Sequence, residues 1–430
     1  MSASTAVAPA RFSEGENGPQ RRPRRIRIGI LGLGTVGQAV ARAAAAGPLV
    51  DHGLAISIEG ALVRDVSKPR RAPGVARVTS NVEAFLRGRY DVVIDALAGC
   101  DPAASIVGRL LGKGVPVVSA NKALIAVEGG RLRAIAARAG TSFRIEASVM
   151  AGVPFLGTLE RRPLAGRVTR LTGVVNGTSQ FIVTRLASGA PLDEAIAEAQ
   201  RLGYAEPDPR ADVSGGDALD KLVILADVLL GAALPAGSVP VEGLESVTPQ
   251  DLDAAVRLGG ALKPIVFAAR APHGVAAFVA PAWVPASHPL AAFSGRDNAI
   301  VVEGRHIDRL VFAGPGAGPD ITAATLLDDA VEAAQSARLP QPLALRRPSD
   351  AKPVVEADTG WFVRVTHARP ESAAFAALQF QAAGLTPRVR ADAARSWLLL
   401  PAAQAARVSA IGEALRAQDI SIRTWRALHD

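Results

Sequence analysis

Residues 26–31, IRIGIL, run without a break into GLGTVGQAVARAAAA, and this junction constrains the chain more than any other feature. A short apolar, β-branched run reads as a buried strand, and the alanine-rich segment after it reads as a helix. Between them Gly32, Gly34 and Gly37 keep the spacing that makes a tight turn, lets the backbone approach a pyrophosphate and packs the helix close to the strand. Such a turn leaves phosphates on the helix N-terminus, so Gly32, Gly34, Thr35, Val36 and Gly37 are the first candidate cofactor contacts. With 41 glycines in 430 residues the spacing alone is weak, and the strand-turn-helix context lifts it. The alternation continues: strand 54–64, helix near 82–87, strand YDVVIDAL, helix 102–112, strand PVVSA, helix 122–139, strand SFRIEAS. The expected fold is a doubly wound parallel sheet of Rossmann type.

A dinucleotide lies at the carboxyl ends of such strands, where LAGCDPA and SANKA fall. Ser119 and Lys122 are therefore expected beside the nicotinamide. The second strand ends LVRDVSKPR. An acid there takes the ribose hydroxyls of NAD, whereas an arginine takes the extra phosphate of NADP. Arg64 comes first, with Lys68 behind it, which favours NADP(H) and leaves NAD(H) open.

The net charge of +8 suggests nucleic acid until it is located. Residues 1–27 hold six arginines against Glu14 and Glu16, so half the excess lies in a tail whose composition is that of a disordered arm. With no aromatic-interleaved basic stripe and no Cys/His cluster, nucleic acid is not an expected partner. The most hydrophobic run, LVILADVLLGAAL, is too short to span a bilayer. One cysteine, Cys100, excludes an internal disulfide, and the cytoplasm is the expected compartment.

Of 48 basic residues only six are lysines, which singles out each lysine as a group whose proton can be exchanged, unlike arginine's. One of them closes EPDPRADVSGGDALDK, residues 206–221, a stretch carrying five carboxylates. Its prolines and glycines shape a loop at the mouth of a helix, for which Ser214 or Asp217 is the expected cap. Asp217 and Lys221, four apart, share one helix face.

GYAEPDPRADVSGGDALDK resembles the signature region of homoserine dehydrogenases. GILGLGTVG, SANKALIA, EASVMAGVP, GVVNGTSQFI, EGLESVTPQDLDAA and FAGPGAG resemble the same family in its order, over residues 26 to about 340. The resemblance implies interconversion of aspartate 4-semialdehyde and homoserine with NAD(P)H. It implies Glu206 and Asp212 on the polar groups of the amino acid, and Tyr204, Gly177 and Thr178 shaping the pocket. Lys221 is implied as the proton carrier, Asp217 as the residue that positions it and Lys122 as a second lysine. Two ammoniums in one pocket are expected to lower each other's pKa. Gly316, in GPGAG, would lie near the nicotinamide, and Glu146 with the carbonyls of Val149, Ala151 and Val153 matches the family's structural site for Na+ or K+. The family also implies a homodimer or homotetramer.

The resulting division is a tail over 1–25, a nucleotide domain over 26–154, a catalytic, substrate and dimerisation domain of α+β type over 155–310, a return segment over 311–340, a linker over 341–359 and a module over 360–430. The module's βαββαβ order resembles an ACT regulatory domain. Its ARPE puts Ala368 and Glu371 where ACT domains carry an acid and a glycine, so weak or no inhibition by threonine is expected. A phosphorylating semialdehyde dehydrogenase would need a cysteine nucleophile on the substrate domain, and Cys100 is in the cofactor loop. A catalytically silent amino-acid sensor on the same scaffold is the remaining alternative, opposed by the intact Lys122, Glu206, Asp217 and Lys221.

Overall fold

The computed structural model describes residues 23–47, 53–162, 164, 166–235, 237–336, 352–367, 369, 371–392 and 395–428. The tail up to residue 22, most of the expected linker and Ala368 lie outside them.

The N-terminal region contains β1 (Arg24–Leu31), α1 (Thr35–Ala45), β2 (Leu54–Leu62), β3 (Val78–Thr79), α2 (Val82–Leu86), β4 (Val92–Asp95), α3 (Ala103–Gly112), β5 (Val117–Ser119), α4 (Lys122–Arg138) and β6 (Phe143–Arg144). The strands are all parallel in the order β3-β2-β1-β4-β5-β6, which is the Rossmann order with its switch point between β1 and β4. Period-two burial drives it. Ile26, Ile28 and Ile30 face α1 and a later helix, and Leu31 turns to the opposite core with Phe85 and Leu86. Arg24 and Arg25, expected in the tail, belong to β1, where Arg25 pairs with Glu59 at 3.0 Å.

After a one-turn 3-10 segment, Glu146–Ser148, come α5 (Leu156–Glu160), β7 (Val168–Val174), α6 (Gly177–Ala187), α7 (Leu192–Arg201), α8 (Arg210–Val213), α9 (Gly216–Leu225), α10 (Pro249–Arg257), β8 (Gly260–Ala271), β9 (Gly274–Pro285), β10 (Asp297–Gly304), β11 (Ile307–Pro315) and α11 (Pro319–Ser336). The α11 alanines Ala323, Ala330 and Ala333 pack with Ala39, Val40, Ala41 and Ala44 of α1, so the chain returns to the nucleotide region after β11.

The C-terminal region follows as β12 (Val354–Val355), β13 (Gly360–Thr366), α12 (Glu371–Ala382), β14 (Arg388–Ala391), β15 (Arg395–Leu400), α13 (Ala405–Arg416) and β16 (Ser421–Ala427). Its strands do not form a sheet of their own. They continue the substrate sheet in the order β11-β10-β7-β8-β9-β16-β13-β15-β14, with β12 also on β9. The join is the parallel pairing of Arg426 with Ala282 and Ala427 with Trp283. Residues 354–355, expected in a linker, are therefore ladder residues. Trp283, Phe362, Trp397 and Trp425 share one apolar cluster with Ile182 and Leu186 of α6 and Leu252 of α10. Under it Asp251, 0 % exposed, accepts hydrogen bonds from Arg364 at 2.7 Å and Trp397 at 2.8 Å. Among the described residues no helix is long and apolar enough to cross a membrane.

Candidate active site

The glycine turn has the shape a pyrophosphate requires. Gly32 adopts φ +91°, and a Cβ there would fall 2.8 Å from the Ala96 carbonyl oxygen. A Cβ on Gly37 would fall 2.0 Å from the Gly32 carbonyl oxygen, so only glycine lets α1 approach the strand end, whereas Gly34 has open space before it. Gly34 caps α1 without any side-chain bond, leaving the first amides to a ligand. Thr35 is exposed and Val36 half-buried at this opening. Beyond β2 the Asp65 carboxylate is occupied by the Ser67 amide at 2.8 Å and hydroxyl at 2.7 Å. Arg70 folds back on the Lys68 and Asp65 carbonyls. Arg64 and Lys68 are exposed, and neither side chain makes a described hydrogen bond. Ser119 lies at the end of β5, but its fully buried hydroxyl donates to Asp95 at 2.8 Å, so its side chain serves the strand ends. Burial pushes Asp95 up to about 6.

Lys122 and Lys221 converge on Asp217 although 95 residues separate Lys122 from it. Lys122 bonds Asp217 Oδ1, and Lys221 lies 2.8 Å from Oδ2. Lys122 opens α4 against the dipole, and Asn121 offsets this by capping the helix through the Leu124 amide at 3.2 Å. Asp217 does not cap α9, nor does Ser214. The cap is Gly215 at φ +86°, which frees the Asp217 carboxylate for the lysines. Lys221 is 6 % exposed and also donates to the Val175 carbonyl at 2.7 Å. That carbonyl accepts Asn298 Nδ2 as well, at 2.8 Å.

The two lysines do not lower each other alike. Burial first, then the Lys122 charge, lowers Lys221 against the pull of Asp217. Burial also opposes the charged form of Lys122, but Asp217, Asp220 and Asp212 outweigh it and raise the pKa. Asp217 is held well below the carboxylate range, its burial overcome by both lysines. Burial raises Asp212 despite its hydrogen bond from Asn176.

Asp212, at the end of α8, stands beside this cluster through Asn176, whose Nδ2 reaches Asp212 Oδ1 and Asp217 Oδ2, both at 2.7 Å. Gly177 and Thr178 begin α6, and a Cβ on Gly177 would fall 2.9 Å from the Arg296 carbonyl. The Thr178 hydroxyl donates to the Tyr204 carbonyl at 2.6 Å. The Tyr204 ring lies under the Arg296 guanidinium, 4.4 Å away, with Phe181 edge-on at 5.1 Å. Glu206 is exposed at the rim and has no described bond to the lysine–aspartate cluster. Gly316 is buried against Asn298, where a Cβ would fall 1.9 Å from Nδ2. The sequence reading missed Asn176, Asn298 and Asn121. For Asn176 and Asn121 the signal was an asparagine immediately before a helix.

Glu146 is buried and accepts the amides of Phe155 and Leu156 at 2.9 Å each and that of Gly157 at 2.7 Å, so its carboxylate closes the start of α5. The Ala151 carbonyl accepts the Thr325 hydroxyl, and the Ala151 amide donates to Gly316 at 3.1 Å. The Val149 and Val153 carbonyls lie in the same buried turn. Asp329 Oδ2 beside them has no partner among the described residues, and burial, reinforced by Glu146, pushes Asp329 up to about 7. The turn thus gathers oxygen donors, with both Glu146 oxygens engaged by backbone amides and the Ala151 carbonyl by Thr325.

A Rossmann sheet with a glycine turn after β1 and a lysine–aspartate cluster built from the start of α4 and from α9 is the equipment of an NAD(P)-dependent oxidoreductase of the CH–OH class. Residues 32–146 match the family model "Homoserine dehydrogenase, NAD binding domain" and residues 154–331 the model "Homoserine dehydrogenase". The homoserine dehydrogenase of Bacillus subtilis is 36 % identical over 325 residues, 73 % of this chain and 74 % of that one. That of Corynebacterium glutamicum is 37 % identical over 322 residues, 72 % of each. A solved homoserine dehydrogenase from Thiobacillus denitrificans superposes with a TM-score of 0.84 at 29 % identity, covering 94 % of this chain and 98 % of that chain. A hyperthermophilic archaeal homoserine dehydrogenase mutant in complex with NADPH gives 0.61 at 26 % identity, over 73 % and 98 %. The chain belongs to the homoserine dehydrogenase family and is a nicotinamide-dependent homoserine dehydrogenase.

Proposed function

We propose that Lys221 exchanges the proton and Lys122 holds the charge while homoserine and aspartate 4-semialdehyde interconvert. The observation that carries this is geometric: two lysines meet on the one Asp217 carboxylate, Lys221 buried and held also by the Val175 carbonyl, Lys122 part-exposed, an arrangement in which unlike environments divide acid–base labour. An ammonium has three donors. Lys221 commits one to Asp217 and one to Val175, and the third is left for the substrate oxygen. The nicotinamide supplies or accepts the hydride at the carbonyl carbon. During reduction Lys221 gives its proton to the developing alkoxide, and during oxidation its neutral amine takes the hydroxyl proton. Lys122 remains protonated and stabilises the oxyanion electrostatically. Asp212 and Glu206 hold the polar groups of the substrate amino acid, with Tyr204, Gly177 and Thr178 walling the pocket.

NADP(H) is the preferred cofactor in this reading, because Asp65 is engaged locally and Arg64 is exposed to meet a phosphate. A Na+ or K+ ion belongs with Glu146 and the carbonyls of Val149, Ala151 and Val153, where it would add the positive charge the buried carboxylates lack. Leu310 and Val311, exposed on β11, offer apolar surface to a second copy, consistent with a homodimer or homotetramer working in the cytoplasm. Glu371 opens α12, and in this reading the C-terminal region is an ACT-like module through which threonine inhibits weakly or not at all, serving mainly to join subunits. The test is the absorbance rise at 340 nm with homoserine and NADP. Lys221→Ala should lower turnover at least a hundredfold and leave NADPH binding unchanged, and near-normal turnover after the substitution contradicts the assignment.

A further inference from the structure

The Val175–Asn176 corner between β7 and α6 bonds Lys221, Asp212 and Asp217 at once. Its carbonyl at 175 accepts Lys221. The Asn176 side chain is engaged at both ends: Oδ1 caps α6 through the Ser179 amide at 2.7 Å, and Nδ2 divides its two hydrogens between Asp212 and Asp217, 2.7 Å from each. The reverse amide orientation would set a carbonyl oxygen against two carboxylates, so the hydrogen-bond network fixes this one. Asn176 is 5 % exposed, and burial makes each of its bonds costly to lose.

Resting on the functional reading above, we infer that Asn176 is the positioning residue of the reaction. It holds Asp217 in the rotamer that engages both lysines and holds Asp212 at a fixed offset for the substrate. Asp217 Oδ2 receives Lys221 and Asn176 from different directions. Without the amide, the carboxylate can rotate and Lys221 follows it. Two carboxylates that would otherwise repel are bridged by one neutral donor.

Replacement by aspartate separates this role from capping. In Asn176→Asp the acceptor that caps α6 survives, the donor is lost and a third carboxylate enters the cluster. We expect kcat to fall at least thirtyfold, the acid limb of the kcat–pH profile to move to higher pH because one carboxyl of the three retains a proton, the melting temperature to fall because two buried bonds are lost, and NADPH affinity to stay close to wild type. Asn176→Ala removes donor and cap without adding charge. It should lower kcat while keeping the wild-type acid limb, and it should melt earlier. An Asn176→Asp enzyme with wild-type kcat and pH profile overturns the inference, as does a pair of variants whose kcat losses simply track their losses of melting temperature. Wild-type protein inactive on homoserine would instead sink the functional reading, so the two failures are distinguishable.

Discussion

Asp217 and Asp251 are both carboxylates with little exposure, each holding together segments far apart in sequence, yet they are built to opposite ends. Asp251 is fully buried and is bonded by Arg364, Trp397 and its own capping partner Thr248. Every partner there has a proton it does not surrender near neutral pH, so the cluster is a fixed joint between α10 and the C-terminal strands. Asp217 is bonded by two lysines and an amide, with Lys122 still part-exposed. Lysine's proton is mobile once its environment shifts the pKa, so in the proposed reading the same carboxylate chemistry becomes a proton-handling site. On that reading the partner's identity separates a structural lock from a catalytic one.

Breaking the lock should give the largest effect. Asp251→Ala leaves Arg364 buried beside an uncompensated site and should destabilise the fold by roughly 3–5 kcal/mol, seen in urea denaturation, while the folded fraction keeps a near-normal kcat. A chain ending near residue 350 uncovers Trp283 and Leu252 and should aggregate or melt early, so its loss of activity would report folding and not regulation. Next, Lys221→Ala should reduce kcat at least a hundredfold, about 2.7 kcal/mol of barrier, with the melting temperature preserved or raised because a buried charge is removed. A smaller effect is expected at the cofactor: Arg64→Ala should weaken NADP about tenfold more than NAD in titrations of each, and equal losses would show that Arg64 faces elsewhere. The smallest is a shift in pH response. Because Lys221 titrates below the ordinary 10.5, homoserine oxidation should rise with pH through that lowered value as the amine becomes neutral, and semialdehyde reduction should fall through it. The sign reverses with direction, and a profile rising in both directions contradicts the assignment.

The first half of this architecture was legible because its determinants are local. Gly32, Gly34 and Gly37 sit close together in the chain, and strands that follow, such as Val92–Asp95 and Val117–Ser119, are short runs buried at every position. The acidic stretch was also readable as a site, since Asp217 and Lys221 are one helical turn apart. What escaped depends on distance. The rise of the Lys122 pKa follows from a contact with Asp217 that no spacing announces. The merging of the C-terminal strands with the substrate sheet rests on two residue pairs joining β9 and β16, far apart in the chain. The cap of α9 was misassigned because Gly215 works through a positive φ and not through a side chain. Asn176 reads as a helix cap, which it is, and its second task is set by the fold alone.

The division of labour between the lysines is tested most directly by comparing kcat for Lys122→Arg and Lys221→Arg in one assay. Both substitutions keep a positive charge, and neither arginine can release its proton. The account predicts that Lys122→Arg retains turnover to within about tenfold, because its task is electrostatic, while Lys221→Arg loses at least a hundredfold with NADPH affinity unchanged. Equal losses, or a larger loss at Lys122, would contradict it.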